Sequence, residues 1–269
     1  MTGRHEAFLE TATLAATDAA ALLRDRFRED RRVERKADGT AVTDADLAAG
    51  RLVRETIADR HPDHAVRGEE SGRAGDASHV WVVDPLDGTA NYVAGFDHYC
   101  VSVALLRAGE PLVGVVAQPQ RGDIYTAVAG EGARCNGEPI AVSTTEPVDE
   151  STALVGISPP LVDDGQFLRA VRRVREAGAD CRRLGSGAAD LSLVARGAFD
   201  CFLDKYTSPW DVAAGSLLVR EAGGRVTDWS GDPIDLTAEE REVGVLASTG
   251  PLHERLLAVY RDAADAHRR

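Results

Sequence analysis

Apolar residues recur at helical spacing near the start of the chain. Phe8, Leu9, Ala12, Ala15, Ala19, Leu22, Leu23 and Phe27 share one face of residues 5 to 28, which predicts an amphipathic helix. KADGTAVTDAD interrupts the pattern with turn residues. Thr43, with Asp46 three positions on, predicts an N-cap and capping box for a second helix ending near Arg60. AVRGEESG reads as a short strand entering a polar turn. Strand-like runs follow in VWVV, VSVALL, PLVGVVAQP and DIYTAVAG, joined by turn pairs such as Ala108-Gly109 and Gly122-Asp123. Asn136-Gly137 predicts a tight hairpin.

From about residue 146 the rhythm changes. STALVGIS reads as a strand, 165–177 as a helix, GSGAADLSLVARG as a helix, FDCFLD as a strand and WDVAAGSLLVREAGG as a helix ending at Gly223. RVTDW and VGVLAS read as strands, and 250–268 as a closing helix. Alternating strands and helices predict an α/β unit. The expected organisation is an N-terminal α+β half over 1–145 and a C-terminal α/β half over 146–269. No low-complexity linker separates them, so an extensive shared interface is expected.

Composition narrows the class. With 269 residues, 43% apolar and 28% charged, the chain has ample material for a globular core. No run approaches the ~18 apolar residues of a membrane span. The opening MTGRHEAFLE lacks the apolar core of a signal peptide, so a cytoplasmic location is expected. A net charge of −13 argues against a nucleic-acid partner; it leaves anionic substrates open if cations are recruited locally. Cys100, Cys135, Cys181 and Cys201 form no CxxC pair, so reduced, packed thiols and no zinc site are expected. The histidines show no pair at ligand spacing and read as surface or core residues.

The candidate chemistry lies in acids at element ends. Glu69 and Glu70 stand in GEES, Asp84 and Asp87 in DPLDGT after VWVV, Asp211 follows Trp210, and Asp46 opens the second helix. Taken singly, each could be a cap or a surface acid. Two carboxylates three positions apart at the mouth of a buried strand repel one another, so a cation is expected between them. All-oxygen clusters suit hard cations, Mg²⁺ above all where phosphate is handled. Two such ions ~3.5–4 Å apart are the common device for displacement at phosphorus. Asp84 could bridge two ions while Asp87 faces one, the Leu86 carbonyl could add an oxygen, and the Gly88-Thr89 amides suit phosphate.

GEES, DPLDGTANY and WDVAAGSLLVREAGG, in this order and at these intervals, resemble the inositol monophosphatase family of Mg²⁺-dependent, lithium-sensitive sugar phosphatases, which is related to the fructose-1,6-bisphosphatases. The likeness runs from Lys36 and VTDAD through RRLGSGAADL to the last strand. It implies a five-layer α/β/α/β/α sandwich, usually a homodimer, hydrolysing a small phosphate ester with two or three Mg²⁺ ions. Residue by residue, it puts Glu69, Asp84, the Leu86 carbonyl, Asp87 and Asp211 on metal-ligand positions. Glu70 falls on the neighbouring acid that helps order a water, and Thr89 with Asp46 on the pair that orients and deprotonates the nucleophilic water. Asp87, Gly88, Thr89, Gly185, Ser186, Asp204 and Asp211 fall around the substrate, with Lys36 a further candidate contact. Two departures stand out: Gly187 replaces the family's usual alanine, and Asp204 stands where inositol-selective members carry glutamate.

Inositol 1-phosphate is the first expectation for the substrate. Fructose 1,6-bisphosphate, histidinol phosphate, nucleotide 3′-phosphates and NADP are alternatives on related scaffolds. A reading of a different class is a regulatory binding protein that keeps the fold without turnover. The retained set of candidate ligands and Thr89 argue against it.

Overall fold

The computed structural model describes residues 3–27, 33–35, 41–69, 72–74, 78–156, 165–238 and 243–265. Helix α1 (Gly3–Asp25) is followed by a two-stranded ribbon of β1 (Val33–Arg35) and β2 (Ala41–Thr43), then α2 (Asp44–Arg60). Next come β3 (Ala65–Gly68), β4 (Gly72–Ala74), β5 (His79–Asp87), the short α3 (Thr89–Ala94), β6 (Cys100–Arg107), β7 (Glu110–Gln118), β8 (Asp123–Val128), β9 (Ala133–Cys135) and β10 (Glu138–Pro139). The chain continues with β11 (Thr152–Val155), α4 (Gly165–Glu176), β12 (Asp180–Arg182), α5 (Gly187–Ala195), β13 (Cys201–Thr207), α6 (Pro209–Glu221), β14 (Arg225–Thr227), β15 (Val243–Ser248) and α7 (Gly250–Asp265).

Among the described residues the larger sheet runs β10-β9-β8-β7-β6-β5-β3-β4 and the smaller β12-β11-β13-β15-β14. Both faces of the larger sheet are covered, so its central strands are continuous apolar runs rather than alternating ones. Val101, Val103 and Leu105 of β6 pack toward the alanine-rich face of α1, against Ala12, Ala15 and Ala19. Their neighbours Cys100, Ala104 and Leu106 pack toward α5 and α6. Those two helices fill the space between the sheets, and Phe167, Leu252 and Leu256 of α4 and α7 cover the far side of the smaller sheet. The order α/β/α/β/α is the five-layer sandwich expected.

Local signals explain much of this. Thr43 and Asp46 form the capping box that opens α2. Asn136 and Gly137 both adopt positive φ, 52° and 85°, as the two-residue turn between β9 and β10 requires. The structure departs from the sequence reading in several strands. β1, β2, β4 and β12 were not expected; each has only three residues, too few for a periodic signal. The smaller sheet is mixed: β11 runs parallel to β12 and β13, while β15 is antiparallel to β13 and β14. No helix among the described residues is long and apolar enough to cross a membrane.

Candidate active site

The carboxylates at the end of β5 depend on a fault in the sheet. Three steps along β5, from Asp84 to Asp87, face only two along β6, from Ser102 to Cys100. In a regular strand, residues three apart point to opposite faces. The one extra residue is a β-bulge, the place where a strand tolerates a proline such as Pro85, and it turns both acids toward one side. Leu86 N–H donates to Asp84 Oδ1 at 2.9 Å, which fixes the bulge from within. Gly88 then takes a left-handed conformation, φ 92°, and a β-carbon there would lie 3.1 Å from Ser186 Cβ and 3.2 Å from the His98 carbonyl oxygen.

Asp211 comes from the other half of the chain. It is the third helical residue of α6 and completes a capping box with Ser208. Ser208 N–H and Thr207 Oγ1 donate to its Oδ2 at 3.0 and 2.9 Å. Oxygens of Asp84, Asp87 and Asp211 lie within 4.8 Å of one another. Asp84 is 2% exposed, and the charges acting on it, Glu69, Asp87 and Asp211, are all negative; desolvation first, then that repulsion, drives its pKa well up. Desolvation also pushes Asp87 up to about 6, against the hydrogen bonds it accepts from Ser186 and Ala188. Asp211 is pushed up to about 7, by desolvation and then by Asp87. Such a group could hold a metal cation, whose charge would offset the repulsion.

Asp46 divides its two oxygens between the cap of α2 and Thr89. Oδ2 accepts Thr43 N–H at 2.8 Å and the Thr43 hydroxyl. Oδ1 accepts the Thr89 hydroxyl at 2.9 Å. That hydroxyl also lies 3.0 Å from the Leu86 carbonyl, but it has one hydrogen, and a carboxylate is the stronger acceptor. With its hydrogen on Asp46, Thr89 Oγ1 presents lone pairs that can accept a proton from water.

The other expected residues fall as follows. Glu69 is half-buried next to β3 and close enough to raise Asp84, yet it stands outside the group of three. Glu70 and Lys36 lie outside the described residues. Ser186 is buried, and its hydroxyl donates to Asp87 Oδ2 at 2.7 Å; contacts from this turn to a ligand would fall to its backbone. Gly185 has φ 87°, and its carbonyl lies 3.4 Å from Asn91 Nδ2. Asp204 sits at a second bulge, where three steps on β13 face two on β15. Its Oδ1 accepts the freed N–H groups of Lys205 and Tyr206, at 2.7 and 3.2 Å. Burial pushes its pKa up to about 6.

Sequence reasoning missed three residues beside the site. Asn91 Nδ2 donates to the carbonyls of His98 and Leu184, both at 2.7 Å, tying α3 to the RLGSG turn. His98 Nε2 lies 2.7 Å from Asp190 Oδ1. The available signal was Asp190 itself, an acid within the apolar run of α5. The histidines expected at the surface or in the core are organised as well: His61, His64 and His79 stack in sequence with centroids 4.8 Å apart, and His253 takes a core place between Thr227 and Ser248.

A five-layer sandwich with an acidic centre built where two strand-end bulges and a helix start converge is the framework of a phosphatase. Comparison with known proteins places it further. Residues 4–265 match the model of the inositol monophosphatase family, and the chain belongs to that family. It is 37% identical over 256 residues to the inositol-1-monophosphatase of Synechocystis, covering 93% of this chain and 88% of that protein. It is also 37% identical over 228 residues to the Nus factor SuhB of Escherichia coli K12, covering 83% and 85%. Among solved structures, the inositol monophosphatase of Anabaena superposes with a TM-score of 0.84 at 33% identity, covering 96% of each chain.

Proposed function

We propose that this chain hydrolyses inositol 1-phosphate, or a polyol or sugar phosphate of similar size, with two or three Mg²⁺ ions held by Asp84, Asp87, Asp211, Glu69 and the Leu86 carbonyl. The observation that carries this reading is the mutually repelling group of Asp84, Asp87 and Asp211, with oxygens within 4.8 Å of one another. An all-oxygen carboxylate set fits a hard divalent cation. When bound, Mg²⁺ neutralises the carboxylates and the ester and makes water acidic enough to attack phosphorus near neutral pH.

The chain's own residues supply the rest. Thr89 orients the attacking water and passes its proton to Asp46; Glu70 helps order that water. The Gly88 and Thr89 amides receive the phosphate at the start of α3. The Gly185-Ser186 turn and Asp204 border the polyol. Because Asp204 Oδ1 is committed to its own bulge, the polyol depends on Oδ2, and discrimination among polyols is looser than a free carboxylate would give. Family resemblance further supports a homodimer that acts on a small phosphate ester, and the net charge of −13 weighs against a nucleic-acid partner. Relatives named Nus factor SuhB support a second reading, a binding role alongside turnover.

The test is phosphate release from inositol 1-phosphate, fructose 1,6-bisphosphate and glycerol 2-phosphate, with Mg²⁺ or with EDTA. The highest kcat/KM is expected for inositol 1-phosphate, with measurable turnover of a second ester, all abolished by EDTA. Release that survives EDTA, or no release from any ester, contradicts the reading. Li⁺ should inhibit in an uncompetitive manner.

A further inference from the structure

Asp87 lies on the larger sheet, but its orientation is set from the other half of the chain. Its Oδ2 receives Ser186 Oγ and Ala188 N–H, both at 2.7 Å, so Oδ1 is the oxygen left for a cation. The direction of Oδ1 therefore depends on where α5 begins. Asp190 N–H closes that first turn onto the Ser186 carbonyl at 2.8 Å. The Asp190 carboxylate in turn meets His98 Nε2 at 2.7 Å, with the two side chains 1% and 2% exposed. His98 belongs to the loop between α3 and β6, and its carbonyl accepts Asn91 Nδ2, which also holds the Leu184 carbonyl. Two chain segments that flank Asp87 are thus joined by a bond spanning 92 residues of sequence.

We infer that the buried pair His98–Asp190 is a positioning latch that holds α5 against the α3–β6 loop, fixes the orientation of Asp87, and so sets the affinity of the acidic centre for divalent metal. The inference rests on the metal reading proposed above. A hydrogen bond between two buried polar side chains fixes both length and direction, whereas an apolar contact at the same place would let α5 slide. With both side chains out of solvent, a surface or solubility role is excluded. Ser186 and Ala188 are the partners one step removed from the metal, a shell whose loss commonly changes affinity 10–100-fold, and the His98–Asp190 pair, one step further out, acts through them at the lower end of that range.

Mn²⁺ is a suitable probe, because free Mn²⁺ is counted directly by its electron paramagnetic resonance signal without reference to turnover. The full chain is titrated as wild type, His98→Ala, Asp190→Ala, the double variant, and Ser192→Ala as a control. Ser192 Oγ accepts Gln118 Nε2 at 2.8 Å, another buried polar link from α5 to the larger sheet. Each latch variant should weaken Mn²⁺ binding roughly tenfold, and the double variant should be no worse than either single one, since one interaction is lost in all three. Asp190→Asn, which keeps a hydrogen bond, should recover most of the affinity, and Ser192→Ala should lower the melting temperature alone. If an alanine variant does not fold, His98→Phe fills the volume without the bond and decides the question. Latch variants that bind Mn²⁺ like wild type, or a Ser192→Ala variant that weakens it equally, would overturn the latch while leaving the metal reading intact. A wild-type chain that binds no Mn²⁺ removes the metal reading itself, and the latch with it.

Discussion

Asp84 and Asp87 share a side of the sheet because of one surplus residue, and their chemistry follows from being held together. Asp87→Asn or Asp211→Asn should abolish turnover while the metal-free chain gains stability, because a repelling charge is gone. The gain should be on the order of 1–2 kcal/mol, a few degrees in Tm. Loss of turnover accompanied by unfolding would contradict this. Thr89→Ala should lower kcat by roughly 10²-fold with little change in KM, and Thr89→Ser should restore much of it. Titration carries a further test. Asp87 and Asp211 are raised to about 6 and about 7, above the ordinary carboxylate value of about 4. Between those limits the folded, metal-free chain binds more protons than the unfolded one, so its stability falls as pH rises through the window and stays low above it. Asp84, Asp190 and Asp204 act in the same sense, whereas His61 and His253, both lowered, oppose it below about pH 6.5. Five carboxylates outweigh two imidazoles. Mg²⁺ should therefore raise Tm strongly at pH 8 and little at pH 5, and equal protection at both would count against the reading. At this scale the sequence showed what is local. The Thr43–Asp46 box lies within one turn and was legible, whereas Ser186–Asp87 and His98–Asp190 span 99 and 92 residues and leave no local trace.

Helices and sheets bring these residues to their places through close approaches that small residues permit. A β-carbon on Gly114 of β7 would lie 3.0 Å from the Ala214 carbonyl oxygen of α6, and one on Gly215 would lie 2.5 Å from Leu191 Cβ of α5. Gly215→Ala should cost about 1–3 kcal/mol by overpacking and weaken metal binding, because Asp211 lies one turn away on α6. Adding Leu191→Ala should return part of the stability, measured by denaturant titration. Gly187 is the contrasting case. The nearest atoms to a β-carbon there are Asp211 O and Cβ at 3.5 and 3.6 Å, an ordinary contact. Gly187→Ala should therefore stabilise the chain by about 0.5–1 kcal/mol without altering kcat. α1, α4 and α7 were legible because their apolar faces repeat over several turns, whereas α5 and α6 are buried on nearly all sides. The antiparallel setting of β15 was not legible, because alternating strands and helices suggest a parallel sheet, and that alternation breaks only between β14 and β15, which no helix among the described residues separates.

The whole molecule is held by a middle layer that belongs to both parts of the sequence. Leu217 and Val212 of α6 join Cys100, Ala104 and Val116 of the larger sheet in one core, together with Phe202 and Val245 of the smaller sheet. The change of rhythm near residue 146 was visible in the sequence, but this sharing was not, since nothing local tells a helix which sheet it will cover. Residues 1–145 expressed alone would leave the α6-facing side of the larger sheet bare. They should fail to give a soluble, cooperatively folding product, while the full chain should unfold in a single transition. Two independent transitions would show that the halves are separate. The charge of the whole chain, −13, also gives the acidic centre no general cationic surroundings, so in the proposed reading neutralisation falls to bound metal. That claim is tested most directly by the anomalous difference map of crystals grown with Mn²⁺. Peaks are expected among Asp84, Asp87 and Asp211, with at least one carboxylate shared between two ions. A map with no peak there, or with peaks only elsewhere on the molecule, would contradict it.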